Sequence, residues 1–143
     1  MKWVTREGAK VDRVACPWLI TRFIDPGAAF LFVPRDDVLR VAQREGAHSF
    51  DADGAEFGHR DGKCTFEVMI DHHKLNDPSL QRLALIVHGA DIPEELSIAP
   101  EAPGLLAISE GMAKICPGDQ KKLALLFPVY DALYAYCKEA TAK

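Results

Sequence analysis

The residues most able to do chemistry gather over positions 54–67, where Glu56, His59, Cys64 and Glu67 fall within twelve positions. All four side chains can bind a metal ion or move a proton. The stretch has neither helical nor strand periodicity, and its three glycines let the backbone take positive φ and fold back on itself. Such a loop is a stronger functional lead than any core helix. The alternative is a polar surface loop with Thr65 capping the next helix. Further along, His88 and Asp91 stand three apart and can converge on one point if the helical turn persists. The plainer alternative is a histidine facing the last carbonyls and an aspartate opening the next turn. Asp12 and Arg13 stand just before an expected helix, where outward N–H groups favour an anion. An aspartate cap with a salt-bridged arginine is the competing reading.

The elements that must position these groups follow from pattern. Residues 2–6 alternate weakly and fit a short strand. Pro17 fits the first turn of a helix that Asp25-Pro26 ends, with Leu19, Ile20, Phe23 and Ile24 as its apolar face. The apolar run 28–33 fits a buried strand, and 36–45 an amphipathic helix closed by Gly46. Positions 48–51 fit a second short strand. Thr65 then caps a helix to Leu75, on which Glu67 and Asp71 share a face. His72 and His73 in its last turn suit solvent and the negative helix end better than a metal. Asp77-Pro78 starts a helix whose stripe Leu80, Leu83, Ala84, Ile86 and Val87 belongs in the core. Helices over 100–115 and 120–139 complete the chain, the last expected to kink at Pro128. The sum is a predominantly helical α+β fold with about five or six helices, a few short strands and one domain over 1–143.

Composition limits the function classes. The 143 residues are 48% hydrophobic and 27% charged, with net charge −4 and pI near 5.7. That is an ordinary single globular domain. The absence of a basic stripe argues against direct nucleic-acid binding by this chain. No apolar run is long enough for a membrane span, and the charged start offers no secretory core, so the expected location is the cytoplasm. Cys16, Cys64, Cys116 and Cys137 form no C-x-x-C pair, which fits reduced thiols and not a four-cysteine zinc site.

Several stretches together resemble the chromate-resistance protein family of the ChrB type. They are Lys2-Trp3-Val4-Thr5-Arg6, Val11-Asp12-Arg13-Val14-Ala15-Cys16-Pro17-Trp18-Leu19-Ile20, Gly58-His59 with Cys64-Thr65-Phe66-Glu67, Gly89-Ala90-Asp91, and Tyr130-Asp131-Ala132-Leu133-Tyr134. The Asp-Arg-x-Ala-Cys-Pro-Trp-Leu run is the most specific. The likeness is to the family's C-terminal domain, here expected to stand alone, and covers nearly the whole chain. Longer members, with an added N-terminal region, are associated with chromate-responsive regulation beside an efflux transporter. The resemblance implies a role in heavy-metal oxyanion resistance.

Three functions remain open. The first is a cytoplasmic binding or sensing domain for a metal ion or oxyanion. His59, Glu67, His88 and Asp91 would form the metal set, for a divalent ion such as Zn, Fe or Mn. Asp12, Arg13, Cys16, Arg22 and Cys64 would neighbour or contact the anion, an arginine suiting an oxyanion. Cys16 and Cys64 could coordinate or reduce, although buried structural cysteines are commoner. The second is a metal-dependent enzyme, hydrolase-like or redox, using the same histidine and carboxylates. The third is a regulatory interaction domain without metal.

Overall fold

The computed structural model describes residues 1–142. Three short strands, β1 (Lys2–Arg6), β2 (Ala29–Val33) and β3 (His48–Ser49), form a parallel sheet in the order β2-β1-β3. Lys2 pairs with Ala29, and Trp3 with His48. The described residues also form six α-helices: α1 (Val11–Leu19), α2 (Val38–Glu45), α3 (Thr65–His72), α4 (Pro78–Asp91), α5 (Ala102–Ile115) and α6 (Asp119–Thr141). A π-helical turn, Ile20–Ile24, continues α1 and is one helical segment more than expected. The class is therefore α+β and predominantly helical.

Local chemistry explains most boundaries. Asp77 caps α4 by accepting the Ser79 N–H at 2.8 Å, and Pro78 follows at the first position. Gly46 closes α2 at φ 63°, a left-handed cap that glycine adopts without strain. Three expectations need correction. Pro17 lies inside α1, which begins at Val11, so Asp12 belongs to the first helical turn instead of preceding it. The run 28–33 is an edge strand, only half-buried, because β1 takes the centre of the sheet. Cys64, not Thr65, is the N-cap of α3, and that helix ends at His72 instead of Leu75.

The core lies between the sheet and α1, α3, α4 and α6. Trp18, Phe66, Leu83, Ile86 and Tyr130 are fully enclosed there. Each large apolar side chain so buried contributes about 1.5–3 kcal/mol. Trp18 also stacks near Phe66, donates its indole N–H to Asp131 at 2.8 Å, and so ties α1 to α6. This packing fixes α1, α3 and α4 relative to one another at the ends that carry the polar residues.

Candidate metal centre

In a parallel sheet ordered β2-β1-β3, the chain leaves β1 toward β2 on one side and returns to β3 on the other. The crevice at the carboxyl ends of β1 and β3 is therefore the switch point where open α/β sheets bind ligands. A cleft of about 380 Å³ lies there, with Arg6, Asp51, Asp53, Gly58, His59 and Arg60 among the residues that line it. Arg6 ends β1, Asp51 follows β3, and the remainder belong to the glycine-bearing loop. A tight turn at Asp61-Gly62, with φ of 53° and 76° and reciprocal backbone bonds between Arg60 and Lys63, folds the loop back.

Four segments meet beside this cleft. Asp12 comes from the first turn of α1, Asp51 from the segment just after β3, His59 from the loop and Asp91 from the last residue of α4. The Nε2 atom of His59 stands 3.3 Å from Asp12, 3.5 Å from Asp51 and 3.1 Å from Asp91. A ring nitrogen carries one hydrogen at most, so it cannot satisfy three carboxylates at once.

The supporting contacts hold each carboxylate in place. Asp12 is 1% exposed and accepts the backbone N–H groups of Thr65 at 2.8 Å and Phe66 at 3.0 Å. Cys16 points its thiol at the same carboxylate, 3.6 Å away. Asp51 has φ 48°, an uncommon value for a side-chain-bearing residue that aspartate tolerates better than most. It accepts from the Thr65 hydroxyl at 2.8 Å and from Arg13 Nη1 at 3.2 Å. Arg13 also donates to the Gly8 carbonyl, while its buried Nε has no partner.

The electrostatics follow from this crowding. Hydrogen bonds to Asp12 and Asp51 raise His59 to about 10, against the opposing effect of burial. Burial, with the charges of Asp12 and Asp51, raises Asp91 to about 7. Burial likewise raises Asp12 despite His59 and the two amides. Asp51 is lowered: burial opposes its charge, but His59, Thr65 and Arg13 outweigh it. Negative charge is thus in excess at a partly enclosed point, an arrangement suited to a bound cation. The donors are one imidazole nitrogen and carboxylate oxygens, a set that fits Zn, Fe or Mn.

The nine residues singled out by sequence divide among three places. His59, Asp91 and Asp12 come together, with Arg13 and Cys16 directly behind them. Glu67, His88 and Cys64 form a second group at the start of α3. There His88 Nδ1 lies 2.5 Å from Glu67, its Nε2 contacts Glu95, and Glu67 accepts the Cys64 N–H at 3.0 Å. His88 and Asp91, three apart on α4, therefore serve different clusters and do not converge. Arg22 is held elsewhere by Asp131, with contacts of 3.0 Å from both Nε and Nη2. Glu56 pairs with His48 at 2.9 Å and Glu67 with His88, so neither glutamate accounts for His59. Sequence reasoning passed over Asp51, Arg6, Arg60 and Glu95. Asp51 and Arg6 carried a usable signal, since Arg6 ends β1 and Asp51 lies just past the carboxyl end of β3.

The comparisons with known proteins agree on one lineage. The family model described as the C-terminal domain of ChrB matches residues 3–137. Protein ChrB of Cupriavidus metallidurans is 38% identical over 136 residues, covering 94% of this chain. The matched part is 40% of that relative, so this chain spans well under half of its length. No solved structure matches the chain significantly.

Proposed function

Because the chain belongs to the ChrB C-terminal-domain family, we propose that it serves chromate and heavy-metal resistance as a cytoplasmic sensing domain that holds a divalent transition metal and reads an oxyanion beside it. The observation that carries this reading is the meeting of Asp12, Asp51 and Asp91 on one nitrogen of His59. Three carboxylates repel a bare oxyanion, so the cation comes first. An oxyanion would then approach through the adjacent cleft, where Arg6 and Arg60 supply positive charge. Arg13, already paired with Asp51, steadies the cation site instead of taking the anion. The cytoplasmic placement accords with four cysteines that are all unpaired.

Elemental analysis of gently purified protein tests this, wild type beside His59→Ala and Asp91→Ala. Metal in wild type, with one equivalent fewer in both variants, is the expected outcome. Metal-free wild type that also fails to take up Zn, Fe or Mn would sink it and leave the interaction-domain reading. A second reading, a metal-dependent hydrolase, is favoured by the size of the cleft, which has room for an organic anion beyond a single tetrahedral group. Metal-dependent turnover of phosphate esters, absent in Asp91→Ala, would select it.

A further inference from the structure

The second group of polar residues has a different composition from the first, because it contains sulfur. Cys64, Glu67 and His88 each offer a donor atom, and these atoms lie within 4.8 Å of one another. Cys64 is fully buried at the N-cap of α3, Glu67 lies one turn on, and His88 is 5% exposed on α4. Glu95 approaches the far side of the ring from the 3-10 segment Pro93–Ile98. That approach depends on Gly89: a Cβ there would stand 2.7 Å from the Ala102 Cβ and 3.3 Å from the Glu95 carbonyl. The fold thus presses a carboxylate-bearing segment against a histidine that already faces a second carboxylate and a thiol.

We propose that Cys64, Glu67 and His88, with Glu95 beside them, form a second cation site, one for a thiophilic divalent ion such as Zn²⁺ or Cd²⁺. Both ring nitrogens of His88 face glutamates, so the ring must carry either two protons or one proton and a cation. A cation that takes one nitrogen leaves the other as an N–H donor to its carboxylate, the arrangement that orients metal-bound histidines. Thiolate, imidazole and carboxylate are together the donors of zinc sites, whereas the carboxylate-rich group around His59 suits harder ions. Binding exchanges the Cys64 thiol proton, released to solvent, for a sulfur–metal bond. This site shares no ligand with the first, and its readout is independent of it.

Cadmium titration of the full chain tests the assignment through the ultraviolet sulfur-to-cadmium charge-transfer band. Wild type, Cys16→Ser and Asp91→Asn should each develop the band at one equivalent of thiolate-bound ion. Cys64→Ser should lose it, and His88→Gln should weaken cadmium affinity at least tenfold, with circular dichroism verifying that each variant is folded. Cadmium-113 resonance of the wild type needs no substitution: a shift in the range of sulfur-containing coordination is expected. An oxygen-and-nitrogen shift, a band that survives Cys64→Ser, or a band lost in Cys16→Ser would each overturn the proposal.

Discussion

The Asp12 carboxylate accepts the backbone N–H of Thr65 at 2.8 Å and that of Phe66 at 3.0 Å, so the first turn of α1 closes the start of α3 from a distance of more than fifty residues. Asp12→Ala strands both buried amides, at about 1–3 kcal/mol each. The two amides bond different carboxylate oxygens, so Asp12→Asn keeps an acceptor for one of them and strands the other, and it should cost about half as much. Urea unfolding in the presence of a chelator, which removes any metal contribution, measures the difference. Equal losses in the two variants would mean that the amides are not what Asp12 satisfies.

Asp91 should invert its role with metal. Without a cation its carboxylate is crowded by Asp12 and Asp51 in a buried setting, so metal-free Asp91→Asn should be as stable as wild type or more so. With a hard ion such as Mn²⁺, which suits the carboxylate-rich group, wild type gains about 2.7 kcal/mol at a free concentration one hundred times Kd, and the variant gains little. Thermal melts with and without chelator should therefore cross in order.

The pH profile of metal-free protein has a worked sign. Asp91 rises from 3.8 to about 7, so the folded state holds its proton more tightly and stability declines as pH climbs across that interval. His59 rises from 6.5 to about 10, so its contribution is complete below 6.5 and is lost as pH climbs through 10. Above the acid range in which the lowered carboxylates of Asp51, Asp77 and Asp131 lose their own contribution, chelated wild type should weaken toward alkaline pH. Asp91→Asn should flatten the lower part of that decline and His59→Gln the upper part, as read from denaturation midpoints at each pH.

Arg6→Ala and Arg60→Ala should leave metal content unchanged while weakening chromate binding to metal-loaded protein about tenfold each. Calorimetric titration compares them with Arg22→Ala, whose guanidinium is committed to Asp131 and which should bind as wild type does.

Gly89→Ala forces a methyl to within 2.7 Å of the Ala102 Cβ. Overpacking of this kind costs about 1–3 kcal/mol. The 3-10 segment must move, so the variant should lose thermal stability and bind cadmium more weakly, without losing metal at His59.

The sequence was most legible where chemistry is local. Asp77-Pro78 opens α4 and Gly46 ends α2 because cap and left-handed φ are properties of one or two residues. The start of α1 was harder. Proline favours a first turn, but Pro17 sits mid-helix among residues the core wholly encloses, and burial overrode the local preference. The site was half legible for the same reason. His59 and Asp91 could be singled out by type, whereas Asp51 looked like one more residue of a short strand. That His88 turns to Glu67 and Glu95 while Asp91 turns to His59 is decided by packing between distant elements, which helical spacing does not contain.

The β2-β1-β3 order has a consequence for how the protein comes together. Asp12, Asp51, His59 and Asp91 are scattered over eighty positions, and they meet only after two parallel strand pairings and the docking of α4 have all been completed. Such long-range closure is the slow part of folding. Metal capture at His59 should therefore appear as the last kinetic event of refolding, trailing the recovery of helical signal, and no peptide covering only part of 12–91 should reproduce it. Occupancy of this centre reports that the sheet, α1 and α4 have come together.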